Sequence, residues 1–237
     1  MRQDVYPKEA AVKEIAVDVD SPSTRPARLR LHVCLPPGAA APWIGPTAFL
    51  FRGAWTKDYL RKQDEVPRHW LDLRPPSAAL VVLPGLPAPA RGHASDDDAL
   101  EDALLDAWET IQEGLGSVLA PPPAQRLLVG LSDGGKWAVL LALVHGHAGA
   151  LSLHGTPGLG RTSWLSEGVV SAAKVERLWL HAHVEDPNDA AREMAVLASK
   201  LPSTCEVARR LMEPGGHGDV GAPVRDVLAE WSSSLPA

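Results

Sequence analysis

The chain has 237 residues, 45% of them hydrophobic, which suits one sizeable globular domain spanning 1–237 and supplies enough apolar surface for a core. A net charge of -6 with no acidic or basic block longer than Asp96-Asp97-Asp98 speaks against a nucleic-acid partner or a membrane surface. No segment is apolar for long enough to span a bilayer, Met1-Arg2-Gln3-Asp4 leads into no apolar leader, and two cysteines are too few for a disulfide framework. The expectation is a cytoplasmic protein.

In chain order, 12–20 and 27–35 alternate in polarity and read as an antiparallel opening pair, with Leu29, Leu31, Val33 and Leu35 on one face. Continuous apolar runs at 47–51 and 79–83 predict strands buried on both faces. Between 96 and 113, Leu100, Leu104, Trp108 and Ile111 form one helical stripe behind an acidic first turn. A strand over 127–131 then runs into a helix ending near His145-Gly146. Strands follow at 150–154, 177–183 and 206–211, with helices at 188–201 and 222–231. Strands alternating with helices predict an α/β fold, a mostly parallel central sheet flanked by helices. Cys34 and Cys205 each fall in a strand-like run, where a free buried cysteine is ordinary.

The stretch that carries chemistry is Gly130-Leu131-Ser132-Asp133-Gly134, Gly-x-Ser-x-Gly between a strand and a helix. A sharp strand-to-helix turn presents one side chain at its apex, and glycines two residues to either side leave room for it. Ser132 then becomes a nucleophile whose acyl oxyanion faces the Asp133 amide; the plainer alternative is a serine that caps the helix. A serine needs a base and a group to orient that base. Of nine histidines, only His217, in Gly215-Gly216-His217-Gly218, follows the final strand, and Glu185-Asp186 follows the strand before it.

The order Ser132, acid, His217, with the strand and helix pattern around it, resembles the α/β-hydrolases along nearly the whole chain. His181-Ala182-His183-Val184-Glu185-Asp186-Pro187 is similar to that family's His-Gly-x-x-Asp-Pro segment, with His183 in place of the glycine. The resemblance implies Asp186 as the triad acid, with Glu185 second. It also implies a second oxyanion donor after the third strand, on Ala54 or Trp55, where Arg52 replaces the family's histidine. Arg52 itself reads as a solvated side chain at a strand end or as a substrate-binding cation. About two dozen residues join the strands at 150–154 and 177–183, too few for a large cap domain.

Other signals are weaker. Gly216-His217-Gly218-Asp219-Val220-Gly221 matches Gly-x-Gly-x-x-Gly, but no βαβ unit follows it. His181 and His183 share a strand face without further metal-type ligands nearby, and His145-Gly146-His147 is no better, so no metal or organic cofactor is expected. Trp43, Trp55 and Trp164 fall in predicted loops and are candidates to line an acyl or aromatic pocket. Trp108, Trp179 and Trp231 are assigned to the core, while Trp137 fits either role. The implied activity is a serine hydrolase acting on a small-molecule carboxylic ester or thioester. The same triad also serves acyltransferases and cyclases, and the same fold serves noncatalytic binding proteins. Nothing in the sequence sets the oligomeric state.

Overall fold

The computed structural model describes residues 12–52, 68–83, 97–154, 175–184, 190–212 and 221–234. They build one eight-stranded sheet in the order β1-β2-β4-β3-β5-β6-β7-β8. β1 (Val12–Val19) and β2 (Ala27–Cys34) pair antiparallel from Val12↔Cys34 to Val19↔Ala27, the expected opening pair. β2 runs antiparallel to β4 (Ala79–Leu83). From β4 onward all neighbours are parallel: β3 (Thr47–Phe51), β5 (Arg126–Leu131), β6 (Gly149–Leu153), β7 (Arg177–His183) and β8 (Glu206–Met212). The parallel strands therefore share one carboxyl edge, ending at Phe51, Leu83, Leu131, Leu153, His183 and Met212.

Strands buried on both faces need helices on both faces. One face is covered by α2 (Asp97–Leu115), α3 (Asp133–His145) and α4 (Ala190–Lys200). Its core joins Phe49, Phe51, Val81 and Leu83 of the sheet to Leu104, Trp108 and Ile111 of α2, Trp137 and Leu141 of α3, and Leu197 of α4. Trp108 is fully buried and meets Phe49 edge-on at 5.0 Å, a geometry worth about 0.5–1.5 kcal/mol beyond burial. The other face packs Leu50, Val82, Val129, Leu151 and Trp179 against the one-turn α1 (Arg68–Leu71) and α5 (Gly221–Ser234), through Trp70, Val224, Leu228 and Trp231.

Most predicted elements are present to within two residues. α1 was not expected, since one turn with a single anchoring Trp70 carries no periodicity. Cys34 closes β2 as read, but Cys205 lies one residue before β8 rather than inside it. Both are free and buried, and burial pushes each thiol up to about 11. Trp137 is fully buried core. About two dozen residues connect Leu153 to Arg177, too few for a large cap domain. No described helix is long and apolar enough to cross a membrane.

Candidate active site

β5 delivers its chain end to the middle of the carboxyl edge, between β3 and β6. At that point the backbone turns in one residue. Ser132 has φ 55 and ψ -125, and α3 begins at Asp133. A non-glycine residue held there stores roughly 1–3 kcal/mol of strain, which the surroundings must enforce. They do so from both sides: the Ser132 N–H donates to the Leu153 carbonyl at 2.8 Å, and the Ser132 carbonyl accepts from Gly135 N at 2.8 Å and Lys136 N at 3.2 Å. The side chain makes no capping hydrogen bond, and its backbone lies far from the extended conformation an N-cap adopts. The capping alternative is thereby set aside. The residue is partly exposed.

The flanking glycines are required by space, as the motif predicts. A Cβ on Gly130 would lie 1.9 Å from the Gly134 carbonyl oxygen, and one on Gly134 would lie 2.6 Å from the Phe51 oxygen. Neither has a positive φ; what they permit is backbone contact between β5, the first turn of α3 and the end of β3. That contact holds the amino end of α3 against the start of the segment after β3. The first amides of α3, Asp133 included, have no acceptor within the helix, and the helix dipole makes their surroundings favourable to negative charge.

The other expected site residues, Asp186, His217, Ala54 and Trp55, and the runner-up Glu185, lie outside the described residues, as do Trp164 and the Gly-rich segment around His217. The strands they follow do end on the Ser132 edge: β3 at Phe51, β7 at His183 and β8 at Met212. Arg52, read as a solvated strand end or a substrate cation, is half-buried with its guanidinium 5.6 Å from the Trp70 ring centre. Its amide donates to the Leu83 carbonyl. Trp43 cannot line a pocket at Ser132. It precedes β3, bridges to Leu119 before β5, and donates its indole N–H to Pro46 O at 3.1 Å, all at the opposite edge of the sheet.

A pair of histidines far apart in the sequence comes together on the same edge as Ser132. His154, just past β6, and His183, the last residue of β7, stack with ring centres 4.8 Å apart, both buried. His154 is, after Ser132, the second of the described non-glycine residues with a positive φ, 58, and its amide donates to the His181 carbonyl at 2.9 Å. Nothing in the local sequence marks this pair, because it depends on the register that places Leu153 opposite His181. His181 lies below it, facing α5. Burial, then Arg210, pull its pKa down to about 4 against the opposing Glu230 and Asp226. Among the described residues no three His, Cys, Asp or Glu side chains cluster as cation ligands.

No protein-family model and no curated protein matches the chain. Solved structures do. A fluorophosphonate-binding serine hydrolase of Staphylococcus aureus (FphF) superposes with a TM-score of 0.60 at 14% identity, covering 92% of this chain and 98% of that one. An S-formylglutathione hydrolase of Agrobacterium tumefaciens gives 0.62 at 13%, covering 97% and 98%. The ferric enterobactin esterase of Salmonella typhimurium gives 0.62 at 17%, covering 96% of this chain and 60% of the larger protein. At such identities the likeness establishes the shared fold.

Proposed function

We propose that this chain, whose fold is that of the α/β-hydrolases, is a serine hydrolase cleaving a small carboxylic ester or thioester through an acyl-enzyme on Ser132. The observation that carries the reading is the strained φ 55, ψ -125 of Ser132 at the strand-to-helix apex, without a capping bond to explain it. Strain of that kind is kept where it presents a reacting group. The likeness to esterases and to an S-formylglutathione hydrolase supports the ester and thioester class.

In the proposed reaction His217 takes the Ser132 proton as Oγ attacks the substrate carbonyl. The Asp133 amide and an amide of Ala54 or Trp55 receive the oxyanion, each donor contributing a few kcal/mol to the transition state. Asp186 holds the imidazole and stabilises its cation. His217 then protonates the departing alcohol or thiol and activates the water that releases the acid. Support for these partners is their place in the chain: each follows within a few residues a strand ending on the Ser132 edge. The short β6–β7 connection supports an open cleft.

The test is labelling with a fluorescent fluorophosphonate, wild type beside Ser132→Ala. Labelling lost in the variant, followed by turnover of p-nitrophenyl esters or acyl thioesters, is the expected result. A folded wild type that neither labels nor turns over any of them overturns the proposal in favour of a binding protein.

A further inference from the structure

The edge of the sheet opposite Ser132 carries a cavity of about 180 Å³. Phe49 of β3, Leu115 at the end of α2, and Leu119 and Pro121 in the turn that follows form its apolar wall; Phe49, Leu115 and Leu119 are each at most 3% exposed. Gln112 and Arg126, the first residue of β5, supply its polar side. Among the described residues, Arg126 is the one ionisable side chain lining it.

That arginine is electrostatically incomplete. Its Nε donates to the Pro121 carbonyl at 2.8 Å and one terminal nitrogen donates to Gln112 Oε1. Both acceptors are neutral, and three of the five guanidinium N–H donors remain. Among the described residues no carboxylate lies within ion-pair distance of it. Arg177, on β7, shows the ordinary arrangement, held by Glu206 at 3.0 Å and Glu230 at 2.6 Å. Burial pulls the Arg126 pKa down, and no anion among the described residues offsets it.

The neighbours feel the uncompensated charge. His147, fully buried, lies 5.8 Å from both Trp108 and His145, and neither of its ring nitrogens has a hydrogen-bond partner among the described residues. Burial and then Arg126 push its pKa down to about 3, so it stays neutral. His145 is also shifted down, by burial foremost, with Glu109 opposing; Glu109 acts there without pairing Arg126. A partly desolvated cation costs free energy until an anion joins it. Here one cation faces an apolar chamber.

We propose that this cavity is a binding site for a small monocarboxylate, its carboxylate paired with the Arg126 guanidinium and its short apolar chain against Phe49, Leu115 and Leu119. A planar guanidinium with free donors matches a carboxylate in shape, and a single cation with neutral histidines balances a single negative charge. The volume holds roughly six non-hydrogen atoms at the ~30 Å³ each that a water molecule occupies. Butyrate has that size. The inference does not depend on the reaction proposed at Ser132.

The experiment is calorimetric titration with sodium butyrate and with butyramide, its neutral isostere, at constant ionic strength. Expected is saturable butyrate binding that is about tenfold or more weaker for butyramide and for Arg126→Gln. Ala120→Trp, at the exposed rim, blocks the cavity and weakens binding equally without disturbing Arg126, which covers a poorly folded arginine variant. Ser132→Ala leaves binding unchanged. The proposal is overturned by no saturable butyrate binding to the wild type, or by equal affinity for butyramide. It is likewise overturned if inorganic phosphate binds better, or if binding survives both cavity variants and is lost only in Ser132→Ala.

Discussion

Gly134→Ala isolates the close contact on which the candidate site depends. The added Cβ would lie 2.6 Å from the Phe51 oxygen, 3.0 Å from its carbonyl carbon and 3.1 Å from the Arg52 carbonyl carbon. All three are backbone atoms, so no side chain can swing aside. Restoring a C···O contact of ~3.3 Å requires the start of α3 and the end of β3 to part by about 0.7 Å. Overpacking of this kind costs roughly 1–3 kcal/mol. Alanine in a helix regains up to about 1 kcal/mol over glycine, leaving a net loss of about 0–2 kcal/mol. The catalytic effect is larger. The same separation moves the Asp133 amide away from the segment proposed to carry the second oxyanion donor. Misplacement by 1 Å costs about a hundredfold, so a fall in kcat of about tenfold to a hundredfold is expected. Urea midpoints and fluorophosphonate labelling rates, measured on the same preparations, read the two effects apart. A Gly134→Ala protein that labels at the wild-type rate would refute the reasoning, whatever its stability.

Four further outcomes are expected. Because Ser132 sits at φ 55, Ser132→Gly should be more stable than Ser132→Ala by about 1 kcal/mol in urea, both being inactive; equal midpoints would show that the turn is unstrained. His147 and His181, with folded pKa values near 3 and 4, take up protons mainly when unfolded. Stability is therefore full above about pH 6.5 and falls as pH drops from there towards the folded values, by up to about 1.4 kcal/mol per pH unit for each histidine. His181→Asn should flatten the change in urea midpoint between pH 7 and pH 5, and an unaltered slope would contradict this. The Cys34 and Cys205 thiols, raised to about 11 by burial, should resist a water-soluble disulfide reagent in the native protein and react in denaturant. Asp186→Asn should lower kcat by about 10⁴ and Glu185→Gln by little; the reverse pattern would move the triad acid to Glu185.

The parts of the fold that were legible in the sequence are those whose signal is local. Continuous apolar runs at β3 and β4 mark strands buried twice over, and Gly-x-Ser-x-Gly marks a turn where two glycines let backbones touch. What escaped was whatever depends on strand order. The chain leaves β3, builds β4 on its outer side, and returns across β3 to β5, and no residue in the connections announces that crossing. Loop tryptophans consequently looked equivalent, although Trp43 enters a strand and so belongs to the edge away from Ser132. The stacked His154 and His183 are apart in sequence and meet only through the β6–β7 register. The same logic separates the two ends of β5. At Ser132 the chemistry is written in adjacent residues, because the turn itself constrains them. At Arg126 the informative property is the lack of a counter-ion among the described residues, which belongs to the atoms that α2 and the Pro121 turn bring around the guanidinium. An arginine opening a strand is unremarkable until those neighbours are known, and then the cost of its unpaired charge becomes the reason to look for an anion.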